Sequence, residues 1–169
     1  MSSTRHSALI HVALDLVGGI EKAKNLLSRF SEIGEIIAIS SVFKRYLTPE
    51  HLDLSANIEF VVRYESQMSV DQMLYFVMSL SDEGSQGVTR KGKTELILLT
   101  YDDKILMSPR LTLPYPMLHQ DPLIIRCSSE AWPQYEHPIY QKSLSEISRS
   151  APPAQQAEFF IQGKSLVDF

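Results

Sequence analysis

At 169 residues, 44% hydrophobic and 21% charged, the chain has ordinary globular composition and enough length to bury one sizeable core. A formal net charge of -4 argues against nucleic-acid binding by bulk electrostatics, and the single cysteine, Cys127, excludes an internal disulfide and any cysteine-based zinc cluster. No apolar run reaches bilayer length and the first residues lack a secretory pattern, so the expectation is a cytoplasmic monomer with neither membrane nor nucleic-acid partner.

Ala8 to Leu14 is a short apolar run that fits a buried first strand, which Gly18-Gly19 ends. From Ile20 the residues Ala23, Leu26, Leu27 and Phe30 recur at helical spacing. Gly34 stands where a left-handed helix cap is expected. Glu35 to Lys44, rich in β-branched residues, reads as a second strand, and Arg45 to Ala56, without a clear period, as a loop. Asn57 to Glu65 alternates: Ile58, Phe60, Val62 and Tyr64 share one face, with Glu59, Val61, Arg63 and Glu65 on the other, so a half-exposed third strand is predicted. Ser69 with Gln72 forms a capping box for a second helix, in which Met73 and Met78, with Met68 before it, are read as core filling. Leu96 to Thr100 is a fourth strand and Asp102-Asp103 a turn.

Strand, helix, strand, strand, helix, strand is the ferredoxin-like split βαββαβ order of an α+β fold, with an antiparallel sheet and helices packed on its face. Beyond it, Pro114, Pro116 and Pro122 delay regular structure until short helices at about Leu123 to Ala131 and Ser143 to Ser148. Residues 1–149 are read as the domain. Residues 150–169 form a tail that packs on it, with Ser150 to Ala157 as linker and Glu158 to Phe169 offering an extra strand.

Gly87, Gly92, Lys93 and Thr94 spell the phosphate-loop pattern G-x-x-x-x-G-K-T. That pattern grips phosphate only when a strand precedes it and a helix follows, and here a helix precedes and a strand follows. The more telling pair is Glu95 and Ile97, two apart on one strand face. Two carboxylates at that spacing would hold Mg2+ against a polyphosphate. Only one is present. The histidines at 6, 11, 51, 119 and 137 are scattered and support no nucleophilic triad, and Tyr135, His137 and Tyr140 are read as loop packing around Pro138.

From about Ala8 to about Leu144 the chain resembles the 6-hydroxymethyl-7,8-dihydropterin pyrophosphokinases of folate biosynthesis. The resemblance rests on Ser40-Ser41-Val42-Phe43 at the second strand, the helix start at Ser69, and Arg110-Leu111-Thr112-Leu113-Pro114 followed by Glu130 and Pro133. It implies ATP and Mg2+ as cofactors, with the metals held by two aspartates of T-L-D-L-D. That motif falls on Lys93 to Ile97, so Glu95 stands as the one metal-binding and catalytic carboxylate. The family's pterin-contacting asparagine falls on Glu59, and Leu123 is a second substrate-side position. Its glycine-serine-asparagine falls on Ala13-Leu14-Asp15 and one phosphate-binding arginine on Gly92. Its histidine after proline falls on Tyr115 and the downstream arginine on Asp121. Arg90, Lys91 and Lys93 supply positive charge for a nucleotide without matching positions.

The expectation is therefore a diverged homologue whose catalysis is lost or diverted and which keeps a binding or interaction role. Its partner would be a nucleotide, a pterin or an unidentified protein. The alternative is an active pyrophosphokinase using a rearranged Mg2+ site, with Glu95 on the metal and Arg90, Lys91, Lys93 and Tyr115 around ATP.

Overall fold

The computed structural model describes residues 4–52, 55–81 and 93–167. The core order is β1 (His6–Asp15), α1 (Gly19–Ile33), β2 (Glu35–Ile39), β3 (Val42–Tyr46), β4 (Ala56–Ser66), α2 (Val70–Leu80) and β5 (Thr94–Tyr101). A small hairpin follows, β6 (Leu106–Met107) with β7 (Thr112–Leu113), then α3 (Met117–Gln120), α4 (Pro122–Ala131), α5 (Leu144–Ser150) and β8 (Ala157–Ile161). The main sheet runs β5-β1-β4-β3-β8, with β2 also on β4, and every pairing is antiparallel. This is the α+β fold anticipated from the element order.

Alternation along the strands gives the sheet two faces. On the first, Ile10, Val12 and Leu14 of β1 join Ile58, Phe60 and Val62 of β4 and Leu96 and Leu98 of β5, under Leu27 and Phe30 of α1 and Met73 and Val77 of α2. Each fully buried aliphatic or aromatic side chain of this core contributes roughly 1.5 to 3 kcal/mol. The Ser69–Gln72 capping box closes the start of α2. Met73 is wholly buried, whereas Met78 is half exposed and so is not the core residue its spacing suggested. Gly34 does not take the left-handed cap conformation expected of it: its backbone is extended. A glycine is required there because a Cβ would run into the Tyr64 hydroxyl and the Glu65 carbonyl.

The second face carries its own core. Leu9, Phe43, Val61 and Leu99 pack against Leu118 of α3, Leu123, Ile124 and Cys127 of α4, Tyr135 and Leu144. Val61 and Glu59 are therefore buried, and β4 is not the half-exposed strand that its alternation implied. The predicted second strand also divides in two. Ser40 still exchanges hydrogen bonds with Val61, but the Ser41 N–H turns to Glu130 Oε1 on α4, at 2.9 Å. Ser41 and Glu130, landmarks 89 positions apart, thus meet in space.

The last residues belong to both cores. β8 pairs with β3, and the turn at Gly163–Leu166 brings Gly163 against the end of β2 and buries Leu166 in the first core. A Cβ at Gly163 would strike the Ser40 carbonyl and the Ile39 side chain. Gly163→Ala should cost about 2 kcal/mol, read as a lower urea midpoint at unchanged slope. An unchanged midpoint would mean that the tail is not part of the folding unit.

Behind α4, His137 is fully buried, and its Nδ1 accepts from the N–H groups of Ile139 and Tyr140 at 3.2 and 3.3 Å. Burial, with His119 adding to it, pushes its pKa down to about 4 from 6.5. As pH falls, the unfolded ring takes a proton before the folded one does. The stabilisation tied to the neutral ring is thus complete above pH 6.5 and drains away down to about 4. Between about pH 7 and about pH 4.5 the wild type should lose on the order of 2 kcal/mol more stability than His137→Gln, measured by urea unfolding at both pH values.

Candidate functional site

Cross-strand register places the polar side chains of the second face. Ala13 of β1 lies opposite Glu59 of β4 on one side and Glu95 of β5 on the other, and Phe43 of β3 lies opposite Glu59. Glu95 and Glu59 therefore flank Ala13 across three strands, about 10 Å apart at two strand spacings. One row along, His11 lies opposite Ile97 and Val61; one row back, Arg45 lies opposite Asn57.

The strongest feature of this face is an ion network built on Arg45. Its Nε donates to Glu59 Oε2 at 2.6 Å and its Nη2 to Glu59 Oε1 at 3.1 Å. The same Nη2 reaches both Asp121 oxygens, at 3.0 and 2.9 Å. Asp121 is also the cap of α4, accepting from the N–H groups of Leu123 and Ile124. On the far side of Glu59, the Nε2 of His11 donates to Oε1 at 2.8 Å, since a carboxylate can only accept. Burial alone would raise the Glu59 carboxyl, but the hydrogen bond and charge of His11, then Arg45, outweigh it and hold it below the usual carboxylate range. Burial would likewise lower Arg45, and Glu59 and Asp121 raise it instead. His11 Nδ1 is left buried without a hydrogen-bond partner among the described residues, which costs about 1 to 3 kcal/mol.

Beside the network is a small polar cavity of about 250 Å³ lined by Ala13, Asn57, Lys93 and Glu95. Of the positions named from sequence, Lys93 and Glu95 come together here. Glu59 lies across Ala13 from Glu95 but inside the Arg45 network, with 4% of its surface exposed. Leu123 is buried in the second core. Tyr115 donates its backbone N–H to the Leu99 carbonyl at 2.8 Å and docks the segment before α3 on β5. Arg90 and Lys91 lie outside the described residues, as does the loop from Gly87 to Gly92. What flanks that loop is α2 before and β5 after, the reverse of the order that a phosphate loop needs.

These residues do not fit a pair of Mg2+ ions. Glu95 is exposed, an ammonium shares its cavity, and the next side chain on its strand face is Ile97 beside His11. Among the described residues no group of three His, Cys, Asp or Glu side chains is close enough to hold a metal. No helix among them is long and apolar enough to cross a membrane.

The chain matches no family model and no curated protein. Its fold does match solved structures. Plasmodium falciparum HPPK-DHPS, crystallised as the wild type with pterin and p-hydroxybenzoate, superposes with a TM-score of 0.64 at 8% identity, covering 88% of this chain and 42% of that one. The fold is HPPK-like. A variant of the same protein with SDX-DHP gives 0.64 at 10% identity over 94% of this chain and 49% of that one. The chain therefore spans less than half the length of these bifunctional proteins. At such identities the likeness is one of architecture, and the side chains of the site have to be read on their own terms.

Sequence reasoning missed Arg45, which it placed at the start of a loop, and gave His11 no role. Neither carries a local signal. Both become visible only once β3, β4 and β1 are paired in register, because their partners are distant in sequence. Arg45→Met, which leaves Glu59 and Asp121 facing each other without the guanidinium, should destabilise the protein by about 3 to 5 kcal/mol. Adding Glu59→Gln should restore part of that loss. A double-mutant cycle in urea that finds no coupling between the two would show the pair to be solvated and idle.

Proposed function

We propose that this chain keeps the fold of a 6-hydroxymethyl-7,8-dihydropterin pyrophosphokinase without its phosphoryl-transfer activity, and acts as a binding or interaction protein. HPPK abbreviates the enzyme whose landmarks the sequence resembles. The observation that carries the reading is the Arg45 network: Glu59 and Asp121, at positions where the resemblance calls for a pterin-binding asparagine and a phosphate-binding arginine, pair instead with the protein's own guanidinium. Groups already satisfied internally have no reason to prefer a ligand, and displacing Arg45 would strand two carboxylates.

Magnitude supports the same side. Phosphoryl transfer depends on positioned metals and cations, with little covalent chemistry from the protein. One missing transition-state donor is worth roughly 3 to 4 kcal/mol, or two to three decades in rate. Here Ile97 replaces a metal carboxylate, Gly92 replaces a cation, and Asp121 replaces another with the opposite charge.

A second reading, an active enzyme with a rearranged ATP and Mg2+ site, draws on the cavity that brings Lys93 to Glu95. One assay separates the two. Incubated with ATP, Mg2+ and 6-hydroxymethyl-7,8-dihydropterin, the protein should release no AMP above the buffer rate. Turnover that requires Mg2+ and disappears in Glu95→Gln would replace the first reading by the second. Thermal melts with Mg-ATP and with the reduced pterin, each alone, then report whether a binding role persists, because a ligand of the native state raises the melting temperature.

A further inference from the structure

A separate cavity of about 360 Å³ lies among α3, α4, α5 and the loop at 137–142, and it shares no lining residue with the Lys93–Glu95 cavity. Its walls are mainly apolar, with Ile125, Ile147 and Pro152 among them. Its polar lining combines the neutral side chains of Gln120, Tyr140 and Ser150 with a basic pair. Lys142 and His119 line it and, among the described residues, no acidic side chain does. Among the described residues Lys142 has no ion pair, and the buried Nδ1 of His119 has no hydrogen-bond partner.

The remaining wall is aromatic and built to stay in place. Tyr140 packs at 4.9 Å from the His119 ring and 4.7 Å from the His137 ring, centroid to centroid. The loop that carries it is tied to His137 at several points. His137 Nδ1 accepts the Tyr140 N–H, the His137 N–H donates to the Lys142 carbonyl, and Gln141 donates back to the His137 carbonyl from a left-handed φ of 56°. Tyr140 is half exposed and Ile139 more so, an arrangement that core packing alone does not call for. An apolar slot with a rigid aromatic side and an unpaired ammonium at its edge suits a flat apolar body bearing one negative charge.

We propose that this cavity binds a small aromatic carboxylate, its ring against Tyr140 and the apolar floor and its carboxylate on Lys142 and His119. The site is independent of the reading given for the sheet face. Phenylacetate and its neutral amide, phenylacetamide, are the probes, titrated into the full chain by calorimetry and by NMR of the 137–142 amides. Phenylacetate should bind one-to-one and roughly tenfold tighter than the amide, the margin expected of one charge-assisted contact at a partly exposed site. Lys142→Glu, at an exposed position where folding is not at stake, should remove that preference, and Ile147→Trp should weaken both probes by filling the floor. If Ile147→Trp does not fold, Ala151→Leu tests the same wall. Equal binding of acid and amide to the wild type, no saturable binding of either, or an acid preference that survives Lys142→Glu would overturn the proposal.

Discussion

A carboxylate buried on a sheet face costs several kcal/mol unless positive charge and hydrogen bonds meet it, and Glu59 is met from two directions. Arg45 grips it from β3 with two parallel bonds, and His11 holds it from β1. The same guanidinium reaches Asp121 at the start of α4, so a single side chain ties a strand, its neighbour and the helix that covers them. A buried pair of this kind adds little net stability over apolar packing of the same volume. Its contribution is to location. Any displacement of α4 along the sheet would leave a charge without its partner, so the ion pair fixes where the second layer sits.

Once α4 is placed, much of the remaining architecture follows from surface burial. Leu123, Ile124 and Cys127 cover Phe43 and Val61, and a sheet that could have faced water on one side becomes buried on both. The Ser40–Ser41 break lets Ser41 turn toward Glu130 while Ser40 stays in the ladder, which holds the other end of α4 against the sheet. The tail then adds β8 to the open edge of β3 and returns Leu166 to the first core. The outer edge of β5 is likewise occupied, by Ser81 at Leu96 and by Tyr115 at Leu99. Occupying an edge in this way removes a template for strand-to-strand aggregation.

For function, the decisive contrast is between groups that face a ligand and groups that face each other. A polyphosphate site needs several unsatisfied donors and metal-bound carboxylates converging on one volume. On this face the cation and both acids of the network converge on one another. Beside it, Lys93 and Glu95 line a polar cavity with Asn57, and the two carry opposite charges. The proposed non-catalytic role rests on that arrangement rather than on the fold, which hosts whatever chemistry its side chains supply.

The element order, the two-faced pattern of β4, the capping box at Ser69 and the lone acid at Glu95 were legible in the chain, because each depends on residues within a turn or a strand of one another. Spacing sets those by itself. Other features had no local signature: that Glu59 is buried, that Arg45 belongs to a strand, that Gly34 avoids Tyr64 in an extended conformation, and that Met78 faces water. Each of these is decided by what packs on the residue from a distant part of the chain. Burial and charge pairing act through space, so the sequence determined the order of the core helices and strands and the single acid on β5, whereas only the tertiary structure decided where the second strand breaks and which charges would neutralise one another.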